Sequence, residues 1–112
     1  MHILIVDDDE DIVTMLQFRL EKSGYQVSVA STGKKALESI QSNNPDLVIM
    51  DLNIPEPNGA EVAKHVKSTS SIPIILLTGS TDKRSSDFQC DELVIKPYEW
   101  EQLHKLIEKY KN

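Results

Sequence analysis

Ile3-Leu4-Ile5-Val6-Asp7-Asp8-Asp9-Glu10-Asp11 sets four consecutive apolar residues directly against five consecutive acids. An unbroken apolar run of this length suits a β-strand buried on both faces, because a half-exposed strand would alternate. Runs of three or four residues, rich in Val, Ile and Leu, recur at Val27 to Ala30, Leu47 to Met50, Ile74 to Leu77 and Leu93 to Ile95. Between them Ile12, Leu16 and Leu20 recur at helical spacing. So do Ala36, Leu37 and Ile40, then Val62 and Val66, and finally Trp100, Leu103, Ile107 and Tyr110. Lys22-Ser23-Gly24 stops the first helix and Asn43-Asn44-Pro45 the second, since Gly accepts a left-handed cap and Pro cannot continue a helix. Strands alternating with helices join by right-handed crossovers into a parallel sheet covered on both faces, so the fold class is α/β. Gly79 to Glu92 carries almost no apolar pattern before Phe88 and predicts a short or frayed helix.

The 112 residues are enough for one core, and a single domain over 1–112 is expected. A hydrophobic share of 39% and a charged share of 27% are those of a globular chain, not a disordered or fibrous one. Eighteen acids against twelve Lys and Arg leave a net charge of -6, which disfavours direct binding to nucleic acid or anionic lipid. No apolar run approaches the ~20 residues of a membrane span, so no membrane insertion is expected. Cys90 is the only cysteine and cannot form an internal disulfide. Met1-His2 leads straight into a strand rather than a secretory signal, so the cytoplasm is the expected location.

Ligands of open parallel sheets bind at the carboxyl ends of the strands. Here those ends carry Asp7-Asp8-Asp9-Glu10-Asp11, Asp51, Thr78 and Lys96. Each has a plain structural reading: acids cap the following helix, Thr78 turns the chain, and Lys96 is a solvated charge. That reading suffices for Asp9 and Asp11. It suits Asp51 poorly, because Asp51 ends the buried run Leu47-Val48-Ile49-Met50. Carboxylates converging at a sheet edge repel one another, and a divalent cation with oxygen ligands relieves this, Mg²⁺ being the natural candidate. With a Lys ammonium and a Thr hydroxyl beside it, such a site supplies what an acyl phosphate needs: an oxygen nucleophile, charge neutralisation and a hydrogen-bond donor.

Taken together, these residues resemble the response-regulator receiver domain of two-component signalling. The marks are Ile3-Leu4-Ile5-Val6-Asp7-Asp8, then Asp51-Leu52-Asn53-Ile54-Pro55 with Gly59 eight residues after the Asp, then Leu77-Thr78-Gly79 and Lys96-Pro97-Tyr98. The resemblance spans essentially the whole chain. It implies a flavodoxin-like, doubly wound sheet of five parallel strands in the order 2-1-3-4-5. It implies Asp51 as phosphoacceptor, with Mg²⁺ bound directly by Asp8, through water by Asp7, and by Asp51 and the backbone carbonyl of Asn53. Thr78 would donate its hydroxyl to one phosphoryl oxygen and Lys96 would pair with another. Lys96–Pro97 would be a cis peptide.

The implied activity is that of a signalling domain rather than an enzyme, limited to self-catalysed phosphotransfer and autodephosphorylation. Asn53 and Ser80 would help set the rate of hydrolysis. The implied partners are a sensor histidine kinase or a His-phosphotransfer protein, and a downstream target protein reached by altered binding. A stand-alone monomer or weak dimer is the simplest form, with a receiver cut from a longer protein as the alternative.

The sequence departs from the family at Leu93, where an aromatic is usual three positions before the Lys. Thr78 and Lys96 are 18 positions apart, fewer than is common. Leu93 keeps alive a pseudo-receiver, an interaction module that is not phosphorylated, although the retention of Asp7, Asp8, Asp51, Thr78 and Lys96 argues against it. Asp7-x-Asp9 also superficially resembles the nucleophile motif of haloacid-dehalogenase phosphohydrolases, but Asp11 stands where that family has Thr or Val. A calcium-loop reading of Asp7, Asp9 and Asp11 fails, with Ile12 at the Gly position and Phe18 at the bidentate Glu position. Elsewhere, His2, His65 and His104 read as surface residues, Trp100 and Tyr110 as packing, and Cys90 as a structural thiol.

Overall fold

The computed structural model of the chain describes residues 1–81 and 87–111. The five apolar runs become β1 (His2–Val6), β2 (Gln26–Ala30), β3 (Leu47–Asp51), β4 (Ile74–Thr78) and β5 (Glu92–Ile95). All pair in parallel, in the order β2-β1-β3-β4-β5. The helices are α1 (Glu10–Lys22), α2 (Gly33–Asn43), α3 (Gly59–Thr69) and α4 (Trp100–Lys109). This is the doubly wound flavodoxin-like arrangement that the resemblance implied. Residues 82–86, inside the stretch Gly79 to Glu92 where a short or frayed helix is expected, lie outside the described residues.

Strand side chains alternate faces, and this divides the core in two. Ile3, Ile5, Ile49, Ile75 and Leu77 pack with Leu16 and Leu20 of α1 and Leu103 and Ile107 of α4. Leu4, Val6, Val48, Met50, Ile74 and Leu76 pack with Ala36 of α2 and Val62, Ala63 and Val66 of α3. Helices therefore cover both faces, and β1, β3 and β4 are buried almost throughout. The edge strands correct the expectation of burial on both faces, since Val29 of β2 is 42% exposed and Ile95 of β5 37%. An apolar run does not reveal whether its strand has neighbours on both sides.

Helix ends follow local chemistry. Asp9 caps α1, accepting from the Asp11 and Ile12 amides at 3.0 and 3.3 Å, while Thr32 caps α2 through the Lys35 amide at 3.0 Å. Asn58 and Glu61 form a reciprocal capping box on α3. After α1 the chain turns at Gly24 with φ +95°, and α2 ends at Asn44 with φ +48°. At the opposite edge of the sheet from the polar strand ends, Glu92 Oε2 accepts from Lys109 Nζ at 2.7 Å and Tyr110 Oη at 2.5 Å, tying α4 to β5.

Two histidines are more engaged than a surface reading expects. His2 Nε2 lies 2.6 Å from Ser28 Oγ, and His104 stacks on Trp100 with ring centroids 5.1 Å apart. Cys90 is half-buried, and burial pushes its thiol up to about 11, which suits a structural role. Among the described residues no helix is long and apolar enough to cross a membrane.

Candidate functional site

Parallel pairing puts the carboxyl ends of β1, β3, β4 and β5 on one edge, and the ladder runs slightly past the strands there. Asp7 N–H donates to Ala30 O at 3.1 Å, Leu52 N–H to Leu77 O at 2.8 Å and Lys96 N–H to Thr78 O at 2.7 Å. Residues far apart in the chain are thereby fixed side by side before any side chain acts.

Asp51, the last residue of β3, has its side chain 12% exposed. Its Oδ1 accepts from the Asn53 amide at 2.9 Å and its Oδ2 from Lys96 Nζ at 2.7 Å. Both oxygens are thus held, one by the loop that leaves β3 and one by the cation that follows β5. Thr78 is buried at the end of β4, and its Oγ1 accepts from the Ser80 amide at 3.1 Å, leaving the hydroxyl proton to be donated. Lys96–Pro97 is cis, as expected, and so is Glu56–Pro57.

Asp7 is 3% exposed, and its Oδ1 accepts from the Asp9 amide at 2.9 Å. Its Oδ2 is buried without a hydrogen-bond partner. Burial raises the Asp7 carboxyl above the usual range, the charges of Asp51 and Asp8 push the same way, and the Asp9 amide and Lys96 oppose them. An orphaned carboxylate oxygen among other carboxylates is what a hard cation with oxygen ligands relieves, so these residues fit Mg²⁺. Asp8 is exposed, and Asp51 is drawn to Lys96. Among the described residues no three Asp, Glu, His or Cys side chains already converge on one point. Asp7, Asp8, Asp51 and the Asn53 carbonyl are the residues that would hold the ion.

Two contributors have no assigned role in the sequence reading. The Tyr98 hydroxyl is raised above its ordinary range by burial and then by the charges of Asp7 and Asp51, which places the ring beside the site. The motif Lys96-Pro97-Tyr98 could have flagged it. Gly59 starts α3 so close to β3 that a Cβ there would lie 2.7 Å from Asp51 O and 2.8 Å from Leu52 Cα. Its N–H donates to Leu52 O at 3.0 Å, which folds the loop back beneath Asp51.

Residues 3–108 match the family described as the response regulator receiver domain. The alkaline phosphatase synthesis transcriptional regulatory protein PhoP of Bacillus subtilis is 38% identical over 101 residues, covering 86% of this chain and 42% of PhoP. Response regulator ArlR of Staphylococcus haemolyticus is 35% identical over 110 residues, covering 95% of this chain and 50% of ArlR. The chain thus spans about half the length of the curated relatives it matches. Among solved structures, response regulator TrrA of Thermotoga maritima, in complex with Mg²⁺-BeF, superposes with a TM-score of 0.88 at 37% identity, over 97% of each chain. Chemotaxis response regulator CheY4 of Vibrio cholerae does so with a TM-score of 0.86 at 30% identity, again over 97% of each chain.

Proposed function

Since this chain belongs to the response regulator receiver domain family, we propose that Asp51 accepts a phosphoryl group, in a Mg²⁺-dependent reaction, from a phosphohistidine of a sensor kinase or phosphotransfer protein. The observation that carries the reading is the junction at Asp51, where Lys96 Nζ stands 2.7 Å from Oδ2 at the strand edge shared with the unpartnered oxygen of Asp7. A carboxylate oxygen of Asp51 attacks phosphorus in line. The P–O bond forms as the P–N bond breaks, and the imidazole, protonated at its other nitrogen, leaves as the neutral ring. Lys96 Nζ exchanges its hold on Asp51 for a phosphoryl oxygen, and the Thr78 hydroxyl donates to another. Asp7, Asp8, Asp51 and the Asn53 carbonyl would hold Mg²⁺, which would supply charge neutralisation for the oxygens around phosphorus.

The same site then exposes the acyl phosphate to water, so the chain is a signalling domain that dephosphorylates itself rather than an enzyme acting on a separate substrate. Its output is a change in binding to a target protein, since a net charge of -6 suits direct contact with nucleic acid poorly. Intact-protein mass spectrometry after incubation with acetyl phosphate tests the reading. A gain of one phosphoryl group that requires Mg²⁺ and is absent in Asp51→Asn supports it. No adduct, even with beryllofluoride as an acyl-phosphate mimic, overturns it in favour of a module that binds partners unmodified.

A further inference from the structure

Gly33, the first residue of α2, is buried and donates its N–H to Pro55 O at 2.9 Å. A Cβ built on it would lie 1.7 Å from the carbonyl oxygen of Pro57, 2.7 Å from its carbonyl carbon and 2.9 Å from its nitrogen. All three are backbone atoms, so no side-chain rotation would relieve the clash. The first turn of α2 therefore rests directly against the main chain of the loop that joins β3 to α3, the loop that carries Asn53.

The rest of that loop is pinned on its inner side. Asn53 N–H donates to Asp51 Oδ1 at 2.9 Å, Ile54 is 6% exposed within the core shared with α2 and α3, and Gly59 N–H closes on Leu52 O. The outer side has the contact with Gly33. The loop from Asn53 to Pro57 is thus held between Asp51 and the amino end of a different helix, which Thr32 caps.

We propose that Gly33 is a positioning residue for Mg²⁺: its lack of a side chain lets α2 buttress the loop so that the Asn53 carbonyl stands where the ion needs it. This rests on the reading of Asp7, Asp8, Asp51 and Asn53 as the metal site. Loss of a partner that orients a ligand from behind commonly costs about 10–100-fold in metal affinity. The coupling also runs in reverse, because an ion that orders the loop must tighten the Gly33–Pro55 hydrogen bond.

NMR titration of the chain with MgCl2 tests this, reading both the dissociation constant and amide exchange. Gly33→Ala is expected to raise the Mg²⁺ dissociation constant about tenfold, while Ala36→Gly, a destabilising change within the same helix, moves it less than about twofold. In the wild-type protein, saturating Mg²⁺ is expected to slow exchange of the Gly33 amide about threefold or more, and that of the Lys35 amide distinctly less. The exchange arm decides the matter if Gly33→Ala does not fold. A wild-type dissociation constant in Gly33→Ala, or Gly33 exchange indifferent to Mg²⁺, overturns the buttress and leaves the Asp51 reading standing. Failure of the wild-type protein to bind Mg²⁺ overturns both.

Discussion

Asp7→Asn separates the demands of the site from those of the fold. Without metal, Asp7 presents a buried carboxylate oxygen that nothing satisfies, in a residue 3% exposed. Its carboxyl is raised by burial first, then by Asp51 and Asp8. A raised carboxyl means that the folded state prefers the neutral acid. Stability is therefore lost as pH rises from the unfolded value near 3.9 through the folded value. An unsatisfied buried acceptor costs about 1–3 kcal/mol. Asn keeps the oxygen that receives the Asp9 amide, removes the charge, and offers an N–H to the neighbouring carboxylates. The net gain expected at pH 7 in EDTA is about 1–2 kcal/mol, a rise in Tm of about 4–8 °C for a domain of this size.

Mg²⁺ should act on the wild type in the same direction. Free ion at about tenfold above its Kd stabilises the fold by about 1.4 kcal/mol, and the variant, lacking a ligand charge, should gain little. Thermal unfolding followed by circular dichroism, in EDTA and in MgCl2, reads all four states. The expected pattern is a variant more stable than wild type in EDTA, with the gap closing in Mg²⁺. A variant less stable in EDTA would refute the reasoning, since attraction to Lys96 would then outweigh burial. So would a variant that Mg²⁺ stabilises as much as the wild type.

Gly59→Ala drives a Cβ into the backbone of Asp51 and Leu52. The overlap should lower stability by about 1–3 kcal/mol. Displacing the loop beside the nucleophile should slow acetyl-phosphate labelling about a hundredfold, measured by mass spectrometry at a temperature where the variant is folded. Glu92 receives Lys109 and Tyr110, which hold its carboxyl below the usual range. A depressed carboxyl stabilises the fold above the unfolded value near 4.3 and loses that effect as pH falls through the folded value. Glu92→Gln should therefore be less stable than wild type at pH 7 and converge with it as pH falls through the folded value, in urea melts across pH.

The fold was legible where burial was continuous. Leu47-Val48-Ile49-Met50 and Ile74-Ile75-Leu76-Leu77 read as buried strands and lie in strands with neighbours on both sides. Val27 to Ala30 and Leu93 to Ile95 look much the same on paper yet lie at the edges, because pairing is a property of the assembled sheet. The site was legible as residue types at strand ends, since parallel strands bring those ends together whatever the loops do. Its contacts were not. The Lys96–Asp51 bond crosses 45 residues, the exposure of Asp8 depends on the turn into α1, and Gly33 matters through the carbonyl of a proline in another loop. The Asp9 cap, by contrast, is a contact over two or three residues and could be read directly.

The central claim is that Asp51 is the atom-level acceptor, and locating the modification tests it most directly. The chain is incubated with acetyl phosphate and Mg²⁺, reduced with borohydride to convert an acyl phosphate to homoserine, digested and sequenced by tandem mass spectrometry. The account predicts homoserine at position 51 and at no other acidic position. Homoserine at Asp7, Asp8 or Asp9, or a phosphoryl group that resists borohydride on a Ser, Thr or His, would contradict it.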